Sequence, residues 1–181
     1  MPRYVAFLRA VNVGGRIVKM DVLRRLFEDE RCSRVETLIA SGNVMFTTPS
    51  KDEGRVERRL ETALAAALGF DVAVFVRSVP ELIEIARREP FQGAPAAGAA
   101  IHVGFLKAPP DAAAIAKLLA LRNDINDFHV EGREAFWLLR GAWRDAAFSG
   151  ATLEKTLGVA ATLRNSTTVR RLAARCDDAG P

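Results

Sequence analysis

Apolar and polar positions along the first 77 residues change periodicity several times, and each change predicts a new element. Residues 4–11 (YVAFLRAV) are apolar on both alternating faces, which is typical of a central strand covered on both sides. Later runs predict a helix, two strands joined by a short Gly/Asn turn, a second helix and a last strand. They cover residues 20–31, 35–41, 43–48, 55–69 and 70–77. The order β-α-β-β-α-β is typical of a ferredoxin-like unit.

A connecting segment is predicted next, at residues 78–99. Ser78 and Glu81 fit a capping box that opens a helix, and Pro90 ends it. Residues 91–99 are rich in small residues and proline, which favours a linker and the domain boundary.

The second half of the chain repeats a similar order of elements. Residues 100–107 form a strand-like run, a proline-started helix follows, and Gly132 and Arg133 join two further strands. Two helical segments, around 151–158 and 165–176, close the chain. We therefore predict an α+β protein with a ferredoxin-like unit (1–77), a connecting helix and linker (78–99) and a second α+β unit (100–181). Whether the halves pack as one domain or two stays open.

Strand order predicts that two glycine-containing segments meet in the first unit. In this topology the first and second strands are parallel and the third lies between them. The end of the first strand (LRAVNVGG, 8–15) and the turn SGN (41–43) therefore share one edge of the sheet, which we call the rim. The candidate ligand-binding residues there are Arg9, Asn12, Gly14, Gly15, Lys19, Ser41, Gly42 and Asn43.

These residue types suit a small anionic or nucleotide-like ligand. Arg9 and Lys19 supply positive charge, the glycines allow close approach to the backbone, and the following helix begins with unpaired N–H groups. The alternative is that both segments are ordinary turns. Neither G-x-x-x-x-G-K-[ST] nor G-x-G-x-x-G is present, so Walker-type or dinucleotide binding is not supported. We predict no cofactor.

Six segments carry a resemblance to a known family. They are LRAVNVGG (8–15), KM (19–20), ASGNVMF (40–46), EPF (89–91), HVGFL (102–106) and LRNSTTV (163–169). In this order they resemble the motifs of the bacterial domain-of-unknown-function family 1697. The resemblance implies an α+β fold with a ferredoxin-like N-terminal part, and it implies no activity. The chain departs from the family pattern at Ala10 and Ala40, where glycine and glutamine are usual, and at Ser166 and Thr167, which replace Trp-Asn.

Composition adds a modest positive charge and few reactive groups. The net charge is +4, which permits an anionic partner. There is neither a signal peptide nor a membrane-length apolar run, so we expect a cytoplasmic protein without a membrane partner. Cys32 lies near Arg31 and Arg34, which would favour a thiolate, but no base is nearby and we interpret it as an incidental thiol. Cys176 has no metal-like spacing to it.

Catalytic and nucleic-acid functions have weaker support. His102 and His129 both fall in predicted strands, and only a suitable pairing register between those strands would make them face one another. No third ligand is evident, so we predict no metal site and interpret each as a half-buried strand histidine with a backbone partner. No reaction is nominated.

Two further functions remain as alternatives. One is weak nucleic-acid binding through basic residues assigned to the final helix, Arg164, Arg170, Arg171 and Arg175. The aromatic and basic strand pattern of RNA-recognition modules is missing, so this partner is not favoured. The other is a structural or protein-interaction role, and the oligomeric state is left open.

Overall fold

The computed structural model describes residues 1–9, 11, 14, 17–38, 42–93 and 97–178. The chain divides into two compact units, Met1–Leu82 and Ile83–Pro181. Each unit contains one four-stranded antiparallel sheet with helices, which confirms the predicted α+β class. The division falls within a helix, before the small-residue segment that the composition favoured.

The first unit has the predicted order of strands and helices. Its elements are β1 (Arg3–Leu8), α1 (Met20–Asp29), β2 (Ser33–Leu38), β3 (Asn43–Thr47), α2 (Glu53–Leu68), β4 (Val74–Ser78) and the beginning of α3 (Val79–Arg87). The sheet order is β2-β3-β1-β4, so β1 is central and its residues from Tyr4 to Leu8 are buried. The third strand lies between the first and second, as the sequence predicted.

Local sequence signals set the helix ends in this unit. Asp52 caps α2 by accepting a hydrogen bond from the backbone N–H of Arg55 at 2.9 Å, and Gly69 ends the helix in the left-handed conformation (φ +75°). At the start of α3, Ser78 N–H donates to Glu81 Oε2 at 2.9 Å, which confirms the predicted capping box.

Glutamates of α2 cover the outer side of the edge strand β4. They are spaced one helical turn apart and accept hydrogen bonds from alternate backbone N–H groups of the strand. The pairs are Glu53 with Ser78 (3.1 Å), Glu57 with Val76 (2.7 Å) and Glu61 with Val74 (2.9 Å). We call this set the glutamate ladder. It satisfies N–H groups that have no neighbouring strand in the sheet.

The second unit repeats the strand order of the first. Its elements are β5 (Ala100–Leu106), α4 (Ala112–Leu119), β6 (Asn126–Glu131), β7 (Glu134–Leu139), a short 3-10 helix (Trp143–Asp145), α5 (Gly150–Leu157), β8 (Ala161–Asn165) and α6 (Ser166–Asp178). The sheet order is β6-β7-β5-β8. The sequence did not predict β8, and it assigned Arg164 to the final helix. Antiparallel pairing with β5 forms this strand, a non-local cause that a five-residue run does not reveal.

A buried polar connection organises the core of the second unit. Trp137 Nε1 donates to Asn126 Oδ1 at 2.9 Å, and Asn126 Nδ2 donates to the carbonyl of Ala146 at 2.7 Å. Trp137 and Asn126 are almost fully buried, so these bonds satisfy groups that would otherwise be costly to enclose.

No helix among the described residues is long and apolar enough to cross a membrane.

Candidate functional site

The end of β1 and the β2–β3 turn meet at one edge of the first sheet. The backbone N–H of Leu8 donates to the carbonyl of Gly42 at 2.7 Å. Gly42 has φ +72°, and a Cβ atom there would lie 3.1 Å from Leu8 Cβ and 3.6 Å from Val11 Cβ. The predicted meeting of these two segments is therefore confirmed.

The rim residues that the structure describes differ in exposure. Arg9, Gly14 and Lys19 are exposed, and Gly14 has φ +62° with nothing within 4 Å of a Cβ built on it. Gly42 is buried against β1. The remaining predicted rim residues, Asn12, Gly15 and Ser41, lie outside the described residues.

Asn43 supports the hairpin from the inside. Its side chain is almost fully buried, and Nδ2 donates to the carbonyl of Leu38 at 3.3 Å. This hydrogen bond connects the two strands beside the turn. For Asn43, the structure therefore agrees with the alternative that the SGN segment is an ordinary hairpin turn.

The second unit closes its equivalent edge with the same backbone bonds. Leu106 N–H donates to the carbonyl of Arg133 at 2.9 Å, which matches the Leu8–Gly42 bond. Lys107 N–H donates to Ala160 at 3.0 Å, and Arg9 N–H donates to Ala73 at 2.9 Å. These backbone hydrogen bonds at the edge of the sheet therefore follow from the strand order that the two units share. The residues that follow the first strand distinguish the two units.

The two units differ in how the first helix after that edge begins. In the second unit Asp111 caps α4, and its carboxylate accepts a hydrogen bond from Ala114 N–H at 2.7 Å. In the first unit Lys19 occupies the capping position of α1 and makes no side-chain cap. A negative charge thus stands at the N-terminus of α4, whereas a positive side chain stands at that of α1.

The histidines do not form a pair. His102 lies opposite Trp137 and His129 lies opposite Phe136 in the sheet register, so they point to opposite faces. The strands therefore do not pair in the register that would bring the two side chains together. No group of three metal-ligating His, Cys, Asp or Glu side chains occurs in the described part of the chain.

His102 is a half-buried strand histidine, as predicted, but its surroundings are aromatic. Its ring lies 5.1 Å from that of Trp137 and 5.0 Å from that of Trp143. Burial lowers the pKa of His102, and its buried Nδ1 makes no hydrogen bond with the described residues. The expected backbone partner is therefore missing at this nitrogen.

Cys32 is a buried free thiol. Burial raises its pKa to about 11, against the opposing effect of the Arg59 guanidinium, whose Nη2 lies 3.9 Å from Sγ. The neighbours in sequence, Arg31 and Arg34, are not among the causes of this shift. Burial of the sulfur outweighs the nearby positive charge, in keeping with the interpretation of Cys32 as an incidental thiol.

The basic residues near the C-terminus do not form one set. Arg170, Arg171 and Arg175 are exposed on α6. Arg164 lies on β8, where its Nη1 donates to Thr162 Oγ1 and to the carbonyl of Leu163, both at 2.9 Å. Burial lowers its pKa to about 10. Arg164 is therefore a partly enclosed strand residue.

A cavity of about 400 Å³ lies within the second unit, and the sequence reasoning missed it. We call it the Arg170 cavity, after one of its lining residues: Arg88, Glu89, Pro90, Phe91, Gly93, Ile101 and Arg170. The EPF segment lines it directly, and Arg170 directly follows LRNSTTV. No local sequence pattern connects these two segments.

Comparison with known proteins supports the fold and the family. A solved structure of a conserved bacterial protein from Streptococcus pneumoniae is similar, with 19% sequence identity and a TM-score of 0.70. The similarity covers 98% of this chain and 99% of that one, and at this identity it concerns the fold alone. No curated protein matches the chain. The family described as "Protein of unknown function (DUF1697)" matches residues 1–136, three quarters of the length, and the chain therefore belongs to that family.

Proposed function

We propose that this protein binds a small anionic or nucleotide-like ligand at the rim of its first unit. The observation that carries the proposal is the contrast between the two helix starts. A carboxylate of the chain itself caps α4, whereas Lys19 stands at the corresponding position of α1. An anion from solution would take the place that Asp111 occupies in the second unit.

The neighbouring residues add charge and access. Arg9 and Gly14 are exposed, and Gly14 adopts a positive φ without steric restriction. Arg9 and Lys19 would neutralise a phosphate or carboxylate, and backbone N–H groups would contact its oxygens. The close packing of Gly42 on β1 gives this edge a rigid support.

A thermal-shift titration with inorganic phosphate, AMP and ATP tests the proposal, with sodium chloride at matched ionic strength as the salt control. Ligand at a hundred times its Kd stabilises the folded state by about 2.7 kcal/mol. For a chain of this size that corresponds to a rise in melting temperature of about 5–10 °C. We expect Arg9→Ala and Asn12→Ala to reduce this rise, and Arg58→Ala on α2 to keep it.

Lys19→Asp provides the sharper variant, because it copies the cap of α4 onto α1. We expect the variant to be more stable than the parent without ligand, by about 1 kcal/mol for a cap of this kind. We also expect it to lose the ligand-dependent shift. Equal shifts in the parent, Arg9→Ala and Lys19→Asp, or no shift with any of the three probes, would refute the proposal.

A further inference from the structure

The Arg170 cavity is formed by three segments that are distant along the chain. The residues after α3 supply one wall, Ile101 of β5 a second and Arg170 of α6 a third. A neighbouring, mainly apolar pocket shares Arg88, Ile101 and Arg170 with it, but its volume of about 10 Å³ holds no more than a water molecule. The volume of about 400 Å³ falls within the range typical of sites for small molecules.

The two arginines of the cavity are in different electrostatic states. Arg88 lies between two carboxylates, 3.4 Å from Glu131 Oε1 and 3.5 Å from Glu134 Oε2, and Glu134 is buried. Its charge is compensated within the unit, so it acts as a fixed part of the wall. Arg170 is exposed, and its guanidinium makes no ion pair or hydrogen bond with residues in the described ranges. It is therefore available to an anion from outside.

The carboxylates around the cavity limit the negative charge that a ligand can carry. Arg170 has no ion-pair partner among the described residues, but Glu89 lines the same cavity and two carboxylates lie beside Arg88, so these five side chains carry one more negative than positive charge. A doubly charged phosphate monoester would be repelled by these carboxylates after one of its charges had been matched. A carboxylate fits, because a guanidinium binds it through two parallel hydrogen bonds.

The remaining walls offer an apolar surface to the body of a ligand. Phe91, Pro90 and Ile101 are partly buried at the cavity. We propose that the Arg170 cavity binds a small monocarboxylate with an apolar body. The carboxylate would rest on the Arg170 guanidinium and the apolar body would lie against Phe91 and Ile101. This site is distinct in residues and in ligand class from the rim.

Isothermal titration calorimetry with 3-phenylpropionate tests the proposal. The neutral 3-phenylpropionamide has the same body without the charge, and inorganic phosphate has charge without the body. We expect the parent protein to bind 3-phenylpropionate at least tenfold more tightly than either control compound. Arg170→Gln should weaken this binding at least tenfold, and Phe91→Ala should weaken it several-fold.

Arg171→Gln is the matched control, because it removes the same charge from the next residue of α6, which does not line the cavity. We expect it to bind as the parent does. The proposal is overturned if 3-phenylpropionate gives no heat at millimolar concentration, or if the amide or phosphate binds as well. It is equally overturned if the Arg170 and Arg171 variants behave alike. The rim variants Arg9→Ala and Lys19→Asp alter no lining residue of this cavity, so failure here leaves the rim proposal to its own test.

Discussion

Replacing Gly42 by alanine tests the close approach that forms the rim. The added Cβ would lie 3.1 Å from Leu8 Cβ and 3.2 Å from the Leu8 carbonyl oxygen, on a residue with φ +72°. The left-handed conformation costs an L-residue about 1–2 kcal/mol. Crowding in a packed site adds about 1–3 kcal/mol, because the atoms in contact belong to a central strand and cannot move away easily. We expect a total loss of about 2–5 kcal/mol in the free energy of unfolding.

Gly69→Ala is the matched control for this substitution. Gly69 has φ +75° in the same unit, but nothing lies within 4 Å of a Cβ built there. It should therefore show the conformational cost without the crowding. Urea denaturation of the parent and both variants, followed by circular dichroism, measures the difference. If Gly42→Ala is no more destabilising than Gly69→Ala, the turn does not pack on β1 as described and the rim loses its structural basis.

Two further predictions concern buried groups of the first unit. Glu57→Ala removes the acceptor of the buried Val76 N–H, so it should lower the free energy of unfolding, measured by urea denaturation, by about 1–3 kcal/mol. Glu61→Ala, at a less buried position of the glutamate ladder, is the control. A loss for Glu57→Ala that is no larger than the loss for Glu61→Ala would contradict this prediction. The pKa of Cys32, raised to about 11, predicts that iodoacetamide labels it in the native protein at pH 8 about a hundredfold more slowly than in urea. Peptide mapping by mass spectrometry measures both rates, and rapid native labelling would show that the thiol is not enclosed.

The elements with strong local signals were predictable from the sequence. Helix α2 carries its own cap at Asp52 and its own terminator at Gly69, and the predicted and observed ranges nearly coincide. The hairpin of β2 and β3 was predicted from alternating apolar residues around a short turn. In contrast, β8 forms because it pairs with β5. The residues after β8 have helical spacing, so the sequence does not indicate where the strand ends and the helix begins.

The candidate sites were likewise predictable only where strand order determines which segments meet. Strand order alone placed Gly42 beside the end of β1, because the topology allows only one arrangement of that edge. The inward orientation of Asn43 depends on the tertiary packing of the hairpin, which no pattern of residue types specifies. The Arg170 cavity needed three segments to meet, and Arg88 and Arg170 appear in the sequence only as two of many basic residues. Its ion pairs are visible only when the fold is known.

The glutamate ladder has a consequence for how this protein meets other chains. An unprotected edge strand can recruit an extended peptide by backbone pairing, either in recognition or in aggregation. At β4 a peptide would first have to displace three carboxylates, and at β8 the N–H of Ala161 is likewise bound to Glu154 Oε1 at 2.8 Å. These carboxylates also repel an acidic peptide that approaches either edge. Growth of the sheet by β-augmentation is therefore blocked along β4, and a protein partner recruited there would have to be bound through side chains.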